Sequence, residues 1–146
     1  MLKNQHINIH TDGGSRGNPG PSAIGFVIDN NENTLFSYGK PIGIGTNNQA
    51  EYEAVIESLR WVAKNIDRKG ESIHISFFLD SLLVVQQLRG LFKIKHPDLR
   101  ARAFAIHSLI QELEGHVTFT HIPRNLNADA DHLVNQALDT GKEISF

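Results

Sequence analysis

The sequence predicts an α/β fold in which a five-stranded mixed sheet, three strands antiparallel and two parallel, is flanked by helices. Three observations predict it. Short segments alternate apolar and polar residues, as half-buried strands do, and longer ones repeat apolar residues three and four positions apart, as amphipathic helices do. These segments come in the order three strands, helix, strand, two helices, strand, helix, with no internal repeat. Right-handed crossovers through the helices then place the last two strands parallel beside the first.

In the first strand Ile7, Ile9 and Thr11 alternate with His6, Asn8, His10 and Asp12, so Asp12 leaves on the face opposite the isoleucines. The stretch Thr11 to Pro21 (TDGGSRGNPGP) follows, and Gly13 and Gly14 let the backbone approach a bulky ligand with no Cβ in the way. Ala23 to Asp29 (AIGFVID) and Leu35 to Lys40 (LFSYGK) are the next strands, joined by the polar turn Asn30-Asn31-Glu32-Asn33. Pro41 to Gly45 (PIGIG) reads as a flexible connection. Thr46 with Gln49 matches a capping box, and Tyr52, Val55, Ile56, Leu59, Val62 and Ala63 form the apolar stripe of the helix behind it, with Glu51 at its flank. After a charged loop, Asp67 to Ser72, the alternation of Ile73, Ile75, Phe77 and Leu79 marks a strand that ends in Asp80.

Ser81 caps a short helix, Leu82 to Arg89, which Gly90 closes. Between Arg89 and Arg102 lie Arg89, Lys93, Lys95, Arg100 and Arg102 against one acid, Asp98, a local basic island. Pro97 and Asp98 open a helix with Leu99, Ala103, Ile106, Ile110 and Leu113 on one face, ending near Gly115. His116 to Ile122 reads as a strand and Pro123 to Leu126 as a short loop. Asn127 caps the last helix, which carries Ala130, Leu133, Val134, Ala137 and Leu138 in register and Asp131 beside them.

A chain of 146 residues fits one domain, 1–146. The longest apolar run, Ala23 to Ile28, is six residues, too short to span a membrane. No signal-peptide pattern opens the sequence, and without cysteine there is no disulfide and no thiolate metal site, so a cytoplasmic protein is expected. The formal charge of −2 advertises no overall attraction to nucleic acid. His74, His107, His116 and His121 have no metal-type spacing along the chain and read as packing or surface residues.

Asp12 and Asp80 end strands that become neighbours if the crossovers hold, and Glu51 and Asp131, near helix starts, can lean over the same sheet edge. Like charges about 4 Å apart cost roughly 4 kcal/mol per pair at an effective dielectric near 20, so cations or protons must intervene. Oxygen-only ligands suit hard divalent ions, of which Mg²⁺ also takes substrate phosphate oxygens.

Four stretches, TDGGSRGNPGPSAIGFVI, TNNQAEYEAVI, FFLDSLLVV and IPRNLNADADHLVNQAL, resemble in order the four signatures of type 1 ribonuclease H, over nearly the whole chain. The resemblance implies a ribonuclease H-like fold and an endonuclease that hydrolyses the RNA strand of an RNA–DNA hybrid duplex. It implies two Mg²⁺ or Mn²⁺ ions and 3′-hydroxyl and 5′-phosphate ends; separately, a monomer is expected. Carried over residue by residue, Asp12 would bridge the metals, Glu51 and Asp80 would complete one ion's shell, and Asp131 would hold the other. Backbone groups at Gly13, Gly14 and Ser15 and the side chains of Asn18, Asn47, Asn48 and Gln49 resemble minor-groove readers of the RNA 2′-hydroxyl. Thr46 with Asn18 resembles a helix-start seat for a DNA-strand phosphate, and Lys93 and Lys95 would add phosphate contacts.

The chain also departs from the family pattern. The link from Gly90 to Asp98 is short, where some members carry a long basic protrusion with aromatics. The loop Pro123 to Leu126 lacks the His that members with a longer loop use in product release, and although Arg124 and His132 stand nearby the role is left unassigned; Leu82 stands where a polar residue is common. A hybrid-binding module that does not cut would lack one of the four acids. An actin-like phosphotransferase would need a second, similar half.

Overall fold

The computed structural model describes residues 4–68 and 70–146. Strands β1 (Asn4–Ser15), β2 (Gly20–Asp29) and β3 (Thr34–Gly45) form the antiparallel meander, and α1 (Asn47–Asn65) leads to β4 (Ser72–Leu79). Helices α2 (Leu82–Leu88) and α3 (Pro97–Leu113) lead to β5 (His116–His121), and α4 (Ala128–Thr140) follows a 3-10 turn at Arg124–Leu126. A short β6 (Ile144–Ser145) comes last. The strand order is β5-β4-β1-β2-β3-β6, with β4 parallel to β1 and β5 parallel to β4.

The sheet has six strands where the sequence predicts five. The sixth, β6, is too short to carry a period and pairs with Gly39 and Tyr38 at the outer edge of β3. A second difference lies at Pro41 to Gly45, expected as a flexible connection. These residues continue β3, pairing Pro41 with Ala23 and Gly45 with Gly20 past a register shift at Ser22/Ala23. Pro41 and the two glycines lack strand character, but the length of β2 supplies a partner for each. The helix after Ser81 stops one residue early, at Leu88, with Arg89 as its cap and Gly90 at φ +78.

The capping box at α1 is complete: the Gln49 N–H donates to Thr46 Oγ1 (3.1 Å) and the Thr46 N–H to Gln49 Oε1 (2.9 Å). Tyr52, Val55, Ile56, Leu59 and Val62 are buried against Ile7, Ile9, Ile24, Phe26, Ile75 and Phe77 of the sheet. Ala63, expected in that stripe, is exposed, and Trp61 instead stacks on Phe36 with ring centres 4.9 Å apart. Helix α3 adds Leu99, Ala103, Ile106 and Leu113 to the same core. Helix α4 packs on β1, β2 and β3, close enough that a Cβ on Gly25 would stand 2.5 Å from the Ala130 carbonyl oxygen. No helix among the described residues is long and apolar enough to cross a membrane.

Candidate active site

Asp12 lies within β1, opposite Gly25, because the strand runs on through both glycines to Ser15. Asp80 directly follows β4, and the parallel pairing of β4 with β1 carries both acids to one edge of the sheet. Glu51 reaches them because α1 presses against β1 at Gly13. A Cβ there would lie 2.2 Å from the Ala50 carbonyl carbon and 2.4 Å from the Glu51 nitrogen. The space that this glycine leaves is therefore filled by α1, not by a ligand. The Gly13 N–H donates to Glu51 Oε1 (2.5 Å), fixing the carboxylate from the strand side.

Carboxylate oxygens of Asp12, Glu51 and Asp80 lie within 4.8 Å of one another. Asp131, from α4, lines the same cleft with Gly13, Gly14, Ser15 and Arg124. Asp12 and Glu51 are both buried. Burial is the main reason that Asp12 is pushed up to about 7; the charges of Asp80 and Asp131 add to it, and a hydrogen bond from Glu51 opposes it. Glu51 is held well above the usual carboxylate range, first by burial and then by Asp12. Burial and the neighbouring acids thus favour the protonated over the charged form of both Asp12 and Glu51 when no cation is present.

Asn127 occupies the cap position of α4, as the sequence predicts, but makes no side-chain cap bond. Its Nδ2 donates instead to the Thr11 carbonyl (2.8 Å) and to Asp80 Oδ2 (3.2 Å), so a buried amide orients one acid of the cluster.

A second cleft adjoins the acids, lined by Asn18, Thr46, Asn47, Asn48, Gln49, His96 and Leu99; Asn47 and Asn48 face both. The loop and the start of α1 are tied together here. The Asn47 N–H donates to Asn18 Oδ1 (2.9 Å) and the Ser15 N–H to Asn47 Oδ1 (2.8 Å). Gln49 Nε2 donates to Asp98 Oδ2 (3.0 Å), so both ends of that amide are engaged within the protein. Lys93 and Lys95 are exposed between α2 and α3 and line neither cleft. Arg102, also of the basic island, is paired with Glu53 and Asp98.

Residues 10–137 match the family model described as reverse transcriptase-like. The crystal structure of LC11-RNase H1 in complex with RNA/DNA hybrid superposes with a TM-score of 0.87 at 43% identity, covering 92% of this chain and 98% of that one. The chain belongs to the type 1 ribonuclease H family. Ribonuclease HI of Halobacterium salinarum is 38% identical over 138 residues, 91% of this chain, which spans 64% of that relative's length. The crystal structure of RNase H1 from the same archaeon matches with a TM-score of 0.85 and covers 92% of this chain and 98% of that one.

Ribonuclease H chemistry is metal-dependent, and the residues of the cleft fit a cation. Glu51 Oε2 is buried with no hydrogen-bond partner, and the crowded acids raise one another's cost of ionisation, both of which a divalent ion relieves. Asn127 is the site residue that a search for acids passes over. It precedes Asp131 by four positions, one helical turn on the same face, but its place at a helix start makes a cap the simpler expectation.

Proposed function

We propose that the chain is an endoribonuclease that hydrolyses the RNA strand of RNA–DNA hybrids with two Mg²⁺ or Mn²⁺ ions, leaving 3′-hydroxyl and 5′-phosphate ends. The observation that carries the proposal is the convergence of Asp12, Glu51 and Asp80 within 4.8 Å in a cleft that Asp131 completes. The hybrid seen in the LC11 complex supports the substrate class. Asp12 would bridge the ions, Glu51 and Asp80 would hold one and Asp131 the other. When bound, such ions supply an activated water and neutralise the departing oxygen of a phosphodiester.

The chain's own groups set the geometry around them. The Gly13 N–H steadies Glu51, and the Asn127 amide steadies Asp80. Asn47 uses its Oδ1 on Ser15, which leaves its Nδ2 to face the minor groove beside Asn48 and to read the RNA 2′-hydroxyl, with Gly14 and Ser15 closing the approach. Gln49, engaged with Thr46 and Asp98, holds the start of α1 in place for this readout. Thr46 and Asn18 seat a DNA-strand phosphate in the second cleft, where the N-terminus of α1 favours an anion. Lys93 and Lys95 touch phosphates further along the duplex. Arg124, on the rim of the acidic cleft, takes the place of the product-release His. The protein acts as a cytoplasmic monomer with residues 1–146 as one catalytic domain.

The test is a cleavage assay on labelled RNA–DNA hybrid, RNA duplex and DNA duplex, each with Mg²⁺, Mn²⁺ or EDTA. The expected result is metal-dependent cutting of the RNA strand of the hybrid and no cutting of DNA duplex. Full activity in EDTA or equal cleavage of DNA duplex overturns the proposal, and tight hybrid binding without cleavage would make the chain a binding module.

A further inference from the structure

Three histidines that are far apart in sequence form a row across the sheet. His6 of β1 is in register with His74 of β4, and His74 with His116 of β5. All three project from the face opposite the Ile73, Ile75 and Phe77 side of the sheet; His6 and His116 are exposed and His74 is half-buried. The His6 and His74 ring centres are 5.2 Å apart, and those of His74 and His116 are 5.5 Å apart. None of the three rings has a hydrogen-bond partner among the described residues, so their nitrogens are uncommitted.

We propose that this row is a second metal site, one that takes a single borderline divalent transition metal, Zn²⁺, Ni²⁺ or Cu²⁺, between His74 and either of its neighbours. The ring spacing points to such an ion. With a metal–nitrogen distance near 2.1 Å, two imidazoles on a tetrahedral ion have ring centres roughly 5 Å apart. Both adjacent pairs stand close to that separation, and the exposed rings of His6 and His116 can turn about their side-chain torsions to aim a nitrogen at a common ion. Outer strands in a row of three lie roughly 10 Å apart, too far for one ion to take both His6 and His116. His74 is therefore the shared ligand, and water completes the shell. Imidazole selects these metals over Mg²⁺, which prefers oxygen, so the row and the carboxylate cleft are chemically distinct. The residues show no metal spacing in sequence because strand register, not chain separation, brings them together.

The test is calorimetric titration of the full chain with Zn²⁺ in saturating Mg²⁺, together with the Cu²⁺ electron paramagnetic resonance spectrum for the number of coordinating nitrogens. Wild type is expected to bind one Zn²⁺ at the row and to give a two-nitrogen Cu²⁺ signal. His74→Ala should weaken Zn²⁺ binding by about tenfold or more, because the second imidazole is held at high effective concentration. His6→Ala and His116→Ala, each leaving one pair, should change it by less. The double variant His6→Ala/His116→Ala keeps His74 without partners and should behave like His74→Ala; it carries the test if His74→Ala folds poorly. His107→Ala, on α3 and not a member of the row, should leave binding unchanged. Equal Zn²⁺ affinity for wild type and the double variant, or a Cu²⁺ spectrum with one nitrogen in wild type, overturns the site.

Discussion

On the proposed mechanism, the Asp12 carboxylate that would serve catalysis is also the one that burdens the fold. It is buried between Glu51 and the charges of Asp80 and Asp131, and raising it from 3.8 to about 7 makes its charged form roughly 4 kcal/mol more costly than in water. Asp12→Asn removes that charge and keeps the shape. Cleavage of hybrid is expected to fall by two orders of magnitude or more, about 3 kcal/mol of transition-state stabilisation, since an amide cannot take the charge of two ions. At pH 8 in EDTA the variant should melt at the same or a higher temperature than wild type. Initial rates and melting curves for both proteins check the pair of outcomes; a variant with near-wild-type rate removes Asp12 from the metal cleft, and a strongly destabilised one makes it a structural turn residue. The acids are legible in the sequence through their convergence, since strand order carries Asp12 and Asp80 to one sheet edge and four family signatures in order each place one acid there, whereas each acid alone has an ordinary explanation as a turn, cap or helix-start residue. Asn127 is not legible, because an Asn at a helix start also has one, and only the folded chain sends its amide to Thr11 and Asp80. Gly13 is legible as a close approach but not as an approach of α1.

Elements with a full period are readable and those without one are not. The stripes of α1, α3 and α4 and the alternation in β1 and β4 follow from residue spacing alone, and their order determines which strands lie parallel. The end of β3 is hidden because Pro41, Gly43 and Gly45 have no strand preference, and pairing with β2 overrides that local tendency. The segment joining α2 to α3 is the element whose function is least determined by its local structure. It exposes Leu91 and Phe92 beside Lys93 and Lys95, and Arg102 at its far side is already paired with Glu53 and Asp98. The two lysines are thus the island's cations to test first against a duplex backbone. Replacing both with Ala is expected to weaken hybrid binding and to flatten its log–log salt dependence by about 0.7 to 0.9 for each phosphate that is no longer neutralised, with no change in sequence preference. Binding isotherms at several salt concentrations measure this directly. An unchanged slope would make the segment a solvated face.

For the whole molecule, the cost of gathering four acids at one sheet edge should appear as an inverted dependence of stability on pH. Asp12 sits at about 7 and Glu51 is also raised, both chiefly by burial, whereas in the unfolded chain both ionise near pH 4. Between those values the folded state binds more protons than the unfolded state, so the stability present at low pH is lost as pH rises through the folded values. In EDTA the melting temperature contributed by this site should therefore fall from pH 5 to pH 8. Divalent ions bind the deprotonated carboxylates and reverse the loss, so the stabilisation by Mg²⁺ should be small at pH 5.5 and grow through pH 8. Activity should rise over the same window, because the ions that the reaction needs compete with protons for Asp12 and Glu51. Melting curves at four pH values with EDTA and with Mg²⁺, for wild type and Asp12→Asn, separate this site from every other titrating group: the difference between the two proteins isolates the part that depends on Asp12. A difference that stays constant from pH 5 to pH 8, or a Mg²⁺ increment that is the same at both ends, would mean that the acids ionise independently and that the edge of the sheet stores no electrostatic cost for a metal to relieve.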